Sequence, residues 1–531
     1  MRSLRAACLV LLFAVGLART ATAQDPADAA WNRGDLESAR RLYTERVSAD
    51  SSDVRALHRL ALLFAWNREF PPSLTLFDRL LVVTPDNLEA QVDRARVLSW
   101  SGRYGESVQA YDAVLARNPH DRRARVGLAQ VLAWSGRLDS AAVVYRQLLE
   151  DDPDDLEARQ GLARVAAWRG DLRGAESEWR RALEAGGDDA ATLIGLSQTL
   201  RWQGRLDEAL RLLERVPEER RTEREYLDER AWVDAGLSAA VAPSVTYETD
   251  SDANDIWTIG FRGSYPVAPR VRVGLDAYFR TATWDVQLTG ARRAWGASAT
   301  GRYVLDPGWV LDAALGLSTS NGAEATAEPS IRLGVTSPAG NPVAGSLSFS
   351  RSAFDATALL MERGVTYAEI AAGVRAKPAY RWEIDGAVAY ASFSGSESNR
   401  RILGRVAGSR TITPAWTAVA RVRTFGFQKD LNDGYFDPDF YFLGELLARW
   451  RPLRGPSWHI TAEVAPGLEQ ITSSWNPHAT AFVHLEATRQ LGPGRQLALG
   501  AVYTNAGLQS FATGETGYRY FAITLSGGWA F

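Results

Sequence analysis

Charged side chains recur at every second position in several stretches of the second half of this 531-residue chain. Arg381, Glu383 and Asp385 share one face of the segment Tyr380–Tyr390, whose other face holds Tyr380, Trp382, Ile384, Val388 and Tyr390. Arg421 and Arg423, then Tyr441, Glu445 and Arg449, then Glu463 repeat the arrangement further on. A period of two belongs to an extended strand with unlike faces. Fixed charges along one such face hold water and exchange hydrogen bonds with hydroxyls or ions without making or breaking a covalent bond. These residues are the candidate lining of a wet passage. The alternative role for each is an Arg–Glu brace within a closed wall.

Covalent chemistry finds less support. His478 and His484 fall on one face of a single strand and His459 lies on another, yet no clustered acidic partner marks a metal or protease site. A glycosidase needs two carboxyls at a defined separation, which the spacing here does not supply. There is no Gly-x-Ser-x-Gly elbow and no phosphate-binding loop. The only cysteine is Cys8, so no thiolate chemistry is expected beyond residue 23. The expectation is a non-enzyme without cofactor or metal. A formal charge of −3, with only Lys377 and Lys429 as lysines among 60 basic residues, gives no general basic surface and no nucleic-acid partner.

The elements that carry these faces are strands. From Gly236 onward alternation, glycine and aromatics dominate, as in Val271, Val273, Leu275 and Phe279 opposite Arg270, Arg272, Asp276 and Arg280. In the last stretch, Phe521, Ile523, Leu525, Trp529 and Phe531 oppose Ala522, Thr524, Ser526 and Ala530. A strand greasy on one side and polar on the other fits a wall between lipid and water. A soluble sandwich shares the period, but its closing Phe531 resembles the C-terminal signal of bacterial outer-membrane β-barrels. Arg2, Arg5, the apolar run Ala6–Ala18 and Ala21-Thr22-Ala23 predict a signal peptide over residues 1–23. No stretch after residue 23 approaches the ~18 uninterrupted apolar residues of a membrane helix. Membrane residence therefore requires a closed barrel.

The turns set the strand number. Short Pro/Gly turns (Pro266–Pro269, Asp306–Gly308, Ser337–Pro342, Lys377–Pro378, Thr413–Pro414, Pro452–Pro456, Gly492–Gly494) alternate with longer polar loops. Among the loops are Trp284–Arg292, Phe354–Arg363, Lys429–Asp439, Ser473–Pro477 and Ser510–Gly517. The alternation predicts sixteen antiparallel strands with both barrel termini on the short-turn side. Fourteen is the alternative count, because Trp284–Trp295 can be parsed two ways. The longest well-defined loop, which holds Gly434–Tyr441, could fold inward as a constriction; the alternative is that Pro438 and its two Asp only shape a turn.

The first half reads differently. Trp66, Trp100, Trp134, Trp168 and Trp202 stand 34 residues apart, and Gly102, Gly136, Gly170 and Gly204 follow two residues after the last four. Ala141, Ala175 and Ala209, the large residues Tyr111, Tyr145 and Trp179, and Pro85, Pro119 and Pro153 keep the same period. Only one unit departs in its turn, where Arg68 stands for glycine. This helix–turn–helix pattern resembles the tetratricopeptide repeat. It predicts an all-α solenoid over 24–235, followed by a transmembrane barrel over 236–531. Such an array presents a long concave groove. Its tryptophans are expected to pack between repeats, with stacking on sugar rings or peptides as the alternative. Arg96, Gln130, Arg164 and Gln198 also stand 34 apart, at a position that usually faces the groove in this repeat family. They are the candidate contacts for carboxylates, carbonyls or hydroxyls of a partner, or else a solvated face.

Repeats feeding a C-terminal barrel resemble the outer-membrane secretins of exopolysaccharide systems, namely the cellulose synthase operon protein C and the poly-N-acetylglucosamine porin. The YaiO-type barrels are similar. Gly434, Tyr435 and Pro438, within Gly434–Tyr441, resemble the Gly-Tyr-aromatic-x-Pro stretch of the cellulose-type barrel. The resemblance implies an outer-membrane pore for a growing glycan, set in outer-membrane lipid, with a periplasmic scaffold that engages periplasmic proteins. The other reading is a non-conducting anchor whose groove recruits envelope or glycan-modifying proteins.

Overall fold

The computed structural model describes residues 25–531 except 187, 285–289, 306–307, 325, 339, 432, 453–456, 472–475 and 508–517. The expected signal peptide with Cys8, the residues Asp306 and Pro307, and most of the Trp284–Arg292, Pro452–Pro456, Ser473–Pro477 and Ser510–Gly517 connections lie outside the described residues. Two compact units divide the chain, one ending at Gly161 and the other running from Leu162 to Phe531.

The helical half alternates first helices, Val54–Trp66, Leu88–Trp100, Arg122–Trp134, Leu156–Trp168 and Ala190–Trp202, with second helices from Phe70–Val83 to Leu206–Arg215. Most first helices start on a side-chain cap. Asp53, Asn87, Asp121 and Asp189 each accept the backbone N–H three residues on, at 2.9–3.0 Å. Each ends in a left-handed turn, which Gly102, Gly136, Gly170 and Gly204 adopt at φ of 77–81°. Arg68 adopts φ 60° at the equivalent place, so the departure in sequence preserves the turn. The packing carries a further periodic feature. Gly127, Gly161 and Gly195 sit under the rings of Tyr111, Tyr145 and Trp179, where any Cβ would collide with ring atoms.

The second unit holds the last helices and a closed barrel. Its strands are β1 (Ala240–Asp250), β2 (Asn254–Ala268), β3 (Val271–Trp284), β4 (Arg292–Leu305), β5 (Trp309–Ser320), β6 (Glu328–Thr336), β7 (Val343–Ala353) and β8 (Thr366–Ala379). They continue as β9 (Trp382–Ser394), β10 (Ser398–Thr411), β11 (Trp416–Phe427), β12 (Tyr441–Trp450), β13 (Trp458–Gln470), β14 (His478–Gly492), β15 (Arg495–Thr504) and β16 (Tyr520–Ala530). Each pairs antiparallel with its neighbours, and β1 closes on β16 with Ala240 opposite Ala530. The count is sixteen, with both barrel termini at the short-turn end. The repeats meet that end within this unit: the Arg272 guanidinium donates to the carbonyls of Gly236 and Ser238, and Arg270 pairs with Asp207 at 3.3 Å.

Outward faces are apolar, with Ile402 and Leu446 each 69% exposed. Trp309, Trp382, Trp416, Trp450 and Trp458 are exposed at strand ends on the short-turn side, and Trp257 and Trp295 toward the long-loop side. An apolar band between two aromatic rims is the architecture of an outer-membrane-type barrel. Among the described residues no helix is long and apolar enough to cross a membrane.

Candidate functional site: the barrel lumen and the repeat face

Alternation along β11–β13 turns Val422, Leu446 and Val464 outward, and hence the intervening positions inward. The inner surface differs sharply from one end to the other. At the long-loop end two connections fold into the barrel. The first, between β7 and β8, was expected to be a plain loop over Phe354–Arg363. It contains instead a short helix, Ala358–Arg363, capped by the Thr357 hydroxyl and ended by Gly364 at φ 58°. Ala358 and Met361 pack against the inward residues Ile256, Ala282, Trp284 and Ala294. Leu360 and Val365 pack with Phe393, Phe425, Phe427 and Tyr441 of the β9–β12 wall. Polar ties fix the segment: Asp355 accepts from Arg280 at 2.9 Å and from Tyr278, and Glu362 accepts from Arg292 at 2.5 Å.

The second inward connection is the β11–β12 loop. Tyr435 stacks on Phe393 with ring centroids 5.0 Å apart, and Phe425 stacks on Tyr441 at 4.5 Å. Such ring pairs contribute about 0.5–1.5 kcal/mol each beyond their burial. Asn399 ties the loop down, donating to Lys429 O at 2.8 Å and accepting Lys429 N–H at 3.1 Å. Pro438 O accepts from Phe427 N–H at 2.8 Å. The two connections meet at Gly434, which has φ 95° and leaves room for Leu359: a Cβ there would lie 2.8 Å from the leucine Cγ. Arg363 and the fully buried Asp433 complete the junction at 3.1 Å. Asp437 is buried beside Asp430 and Asp433, and burial raises its carboxyl to about 6.

Toward the short-turn end the lumen is wet and ionic. Arg421 holds Glu445 bidentately at 2.6 and 3.0 Å, and Arg449 holds Glu463 at 2.5 Å, with His484 at 3.3 Å from the same carboxylate. Arg375 pairs with Glu383 at 3.2 Å. Asp385 and Arg423 face inward, and among the described residues neither forms an ion pair. Tyr441 is wholly buried and donates to Glu469 at 2.7 Å, so it belongs to the aromatic seal. Arg381 is a correction: it occupies the β8–β9 turn at φ 74°, outside the wall. The turn expected at Lys377–Pro378 is Tyr380–Arg381 instead, because a register irregularity between Ala376 and Ala379 lets Pro378 remain on β8. Beside the inward helix a chamber of about 700 Å³ is lined by hydroxyls, including Ser244, Thr258, Ser298 and Ser330, with Arg262 and Arg332. The sequence reading missed this chamber, Asn399, Glu469 and the inward helix.

On the repeats, the tryptophans correct a second expectation. Trp66, Trp100, Trp134, Trp168 and Trp202 are 38–49% exposed rather than buried between repeats, although Trp66 stacks on Trp31 with ring centroids 5.3 Å apart. Each is the last residue of its helix, where the ring leaves the interface that Tyr111, Tyr145 and Trp179 fill. Arg96, Gln130, Arg164 and Gln198 are half-buried one helical turn earlier, and the first three have neighbours. Arg96 lies 3.4 Å from Asp93, a buried carboxylate shared with His58 and Arg123. Gln130 donates to Glu157 at 3.4 Å, and the Arg164 guanidinium lies 5.9 Å from the Trp179 ring. Near the barrel, Glu229 is held by Arg201 at 2.9 Å, and burial raises its carboxyl above the usual range. Among the described residues no group of three or more His, Cys, Asp or Glu could hold a metal ion.

Residues 100–165, 135–191 and 169–232 match the tetratricopeptide repeat model. The helical half is a tetratricopeptide-repeat array. No curated protein matches the chain in sequence. Among solved structures it is similar to a tetratricopeptide repeat protein from Parabacteroides merdae (19% identity, TM-score 0.36), covering 40% of this chain and 80% of that one. A bacterial polysaccharide outer membrane secretin is similar over 56% of this chain and 99% of its own, at 14% identity and TM-score 0.45. PilW, a type IV pilus biogenesis factor, is similar over 38% of this chain and 93% of its own, at 18% identity and TM-score 0.34.

Proposed function

We propose that this protein is an outer-membrane channel with periplasmic repeats, which passes a hydrated exopolysaccharide outward and is shut at rest. The observation that carries this reading is the way the lumen is closed. Its wall is a complete sixteen-strand cylinder, and the obstruction is two inserted connections held by a junction at Gly434, Leu359, Arg363 and Asp433. An obstruction built from connections can move without unpairing the wall. Below it, Arg–Glu pairs and a hydroxyl-rich chamber keep water in the bore and offer exchangeable partners to sugar hydroxyls. The tryptophans exposed at a 34-residue spacing offer apolar faces to pyranose rings before entry.

The packed aromatic core supports a second reading, in which the barrel only anchors the repeats and these recruit periplasmic glycan-modifying proteins. One measurement separates the two. In planar bilayers, the full chain with Phe354–Val365 replaced by a Gly/Ser linker of equal length should carry sustained current, while the parent is nearly silent. A silent variant that still runs as a folded, heat-modifiable barrel would leave the anchor.

A further inference from the structure

Two arginines in the bore stand without a counter-ion. Arg405 on β10 and Arg423 on β11 are directly opposite in the strand register, and both face inward. Like charges directly opposite on one face of a sheet repel and destabilise the pair. Arg421 follows Arg423 on the same face of β11, and the charges of Arg421 and Arg405 oppose that of Arg423 while Tyr441 and Glu445 favour it. The nearby carboxylate is taken: Glu445, 6% exposed, is held bidentately by Arg421, whose guanidinium also lies 4.5 Å from the Phe482 ring. Asp385 is the next carboxylate by register, two positions toward the short-turn end, and forms no ion pair with either arginine. Among the described residues no carboxylate pairs with Arg405 or Arg423. Other inward carboxylates have partners other than arginine: Tyr520 donates to Glu248 at 2.7 Å, Tyr441 donates to Glu469 at 2.7 Å, and Thr488 donates to Glu486 at 3.3 Å.

A wall that must only be stiff would neutralise such a cluster, as it does at Arg421–Glu445, Arg449–Glu463 and Arg401–Glu369. Arg405 is exposed in the bore and Arg423 is half-buried beside it; an Arg fork without a carboxylate is a receptor for a planar anion, since the guanidinium matches a carboxylate in bidentate geometry. We propose that Arg405 and Arg423 form a subsite for the carboxylate of an acidic glycan, so that the polymer is a polyuronate rather than a neutral or cationic chain. The inference rests on the channel reading and adds the charge of the cargo to it. Placed just below the aromatic seal, the subsite would hold the leading end of an arriving chain where the seal must open.

The test is isothermal titration of the full chain in detergent with trigalacturonate, cellotriose and inorganic phosphate. Trigalacturonate should bind at least about tenfold more tightly than cellotriose. R405Q/R423Q should abolish that preference, and R405K/R423K, which keeps charge but loses the fork, should retain part of it. Heat-modifiable migration and β-sheet circular dichroism establish that each variant is folded. Equal binding of the two oligosaccharides, or acidic binding unchanged in R405Q/R423Q, would overturn the proposal. So would phosphate binding as tight as trigalacturonate, which would make this a small-anion site. Because binding is read without current, a silent channel leaves this result standing; conduction without acidic preference removes only the subsite.

Discussion

The two ends of the bore are built from opposite materials. At the long-loop end, rings and aliphatic side chains from the inward helix and the β11–β12 loop pack into apolar clusters against the wall. Toward the short turns, the same inward strand positions carry paired and unpaired charges. The wall is continuous, so the change is one of side chain alone: on β11, Phe425 and Phe427 belong to the seal and Arg421 and Arg423 to the wet stretch. A barrel can thus be shut by the chemistry of its contents while its hydrogen-bonded frame stays unchanged.

The largest way to break this contrast is to remove the seal. Replacing Phe354–Val365 should raise single-channel conductance by at least about tenfold, since a dewetted constriction is the main barrier to ions. Next comes the ionic stretch. Arg421→Ala strands the buried Glu445 carboxylate and should lower stability toward urea by about 2–3 kcal/mol. That is less than the ~3–5 kcal/mol of a fully buried pair, because the Arg421 side chain is 31% exposed.

Asp437 connects the two regimes through pH. Burial raises its carboxyl to about 6, from 3.8 in a released loop, so the inward-folded loop binds the proton more readily than the released one. The stability of the inward fold is fully present below about pH 4 and falls as pH rises to about 6. Current should therefore be up to about ninefold larger at pH 7 than at pH 5, and Asp437→Asn should flatten that difference. The smallest effect is expected at Arg375–Glu383, whose side chains are largely in water. Arg375→Gln should change stability by less than about 0.5 kcal/mol in the same urea experiment.

Much of the frame was legible because it repeats. Turn spacing predicts sixteen strands, and a period of two places Glu383, Asp385, Arg421, Arg423, Glu445, Arg449 and Glu463 on the inner face. A period of 34 predicts the helical array. What was not legible lies where periodicity stops. Whether a connection leaves the barrel or enters it depends on residues distant in sequence, such as Leu359 meeting Gly434 and Arg363 meeting Asp433. One local signal did exist, since Thr357, the helix-forming run Ala358–Arg363 and Gly364 carry start and stop residues of a helix. The tryptophans misled for another reason. Large apolar residues at a fixed repeat position usually fill the interface, but here Tyr111, Tyr145 and Trp179 already occupy it against glycine, and the tryptophans are left outside.

Fifteen of the sixteen strand pairings join chain neighbours, and the last joins Ala240 to Ala530. Every hairpin can zip locally, yet until that final seam forms the growing sheet carries two raw edges open to other chains. Folding of this half is therefore governed by its most remote pairing, which is slow by nature. A variant that weakens the seam, such as a proline at Thr246, which pairs with Thr524 of β16 and also with Thr258 of β2, should accumulate as aggregated hairpins rather than as a leaky barrel.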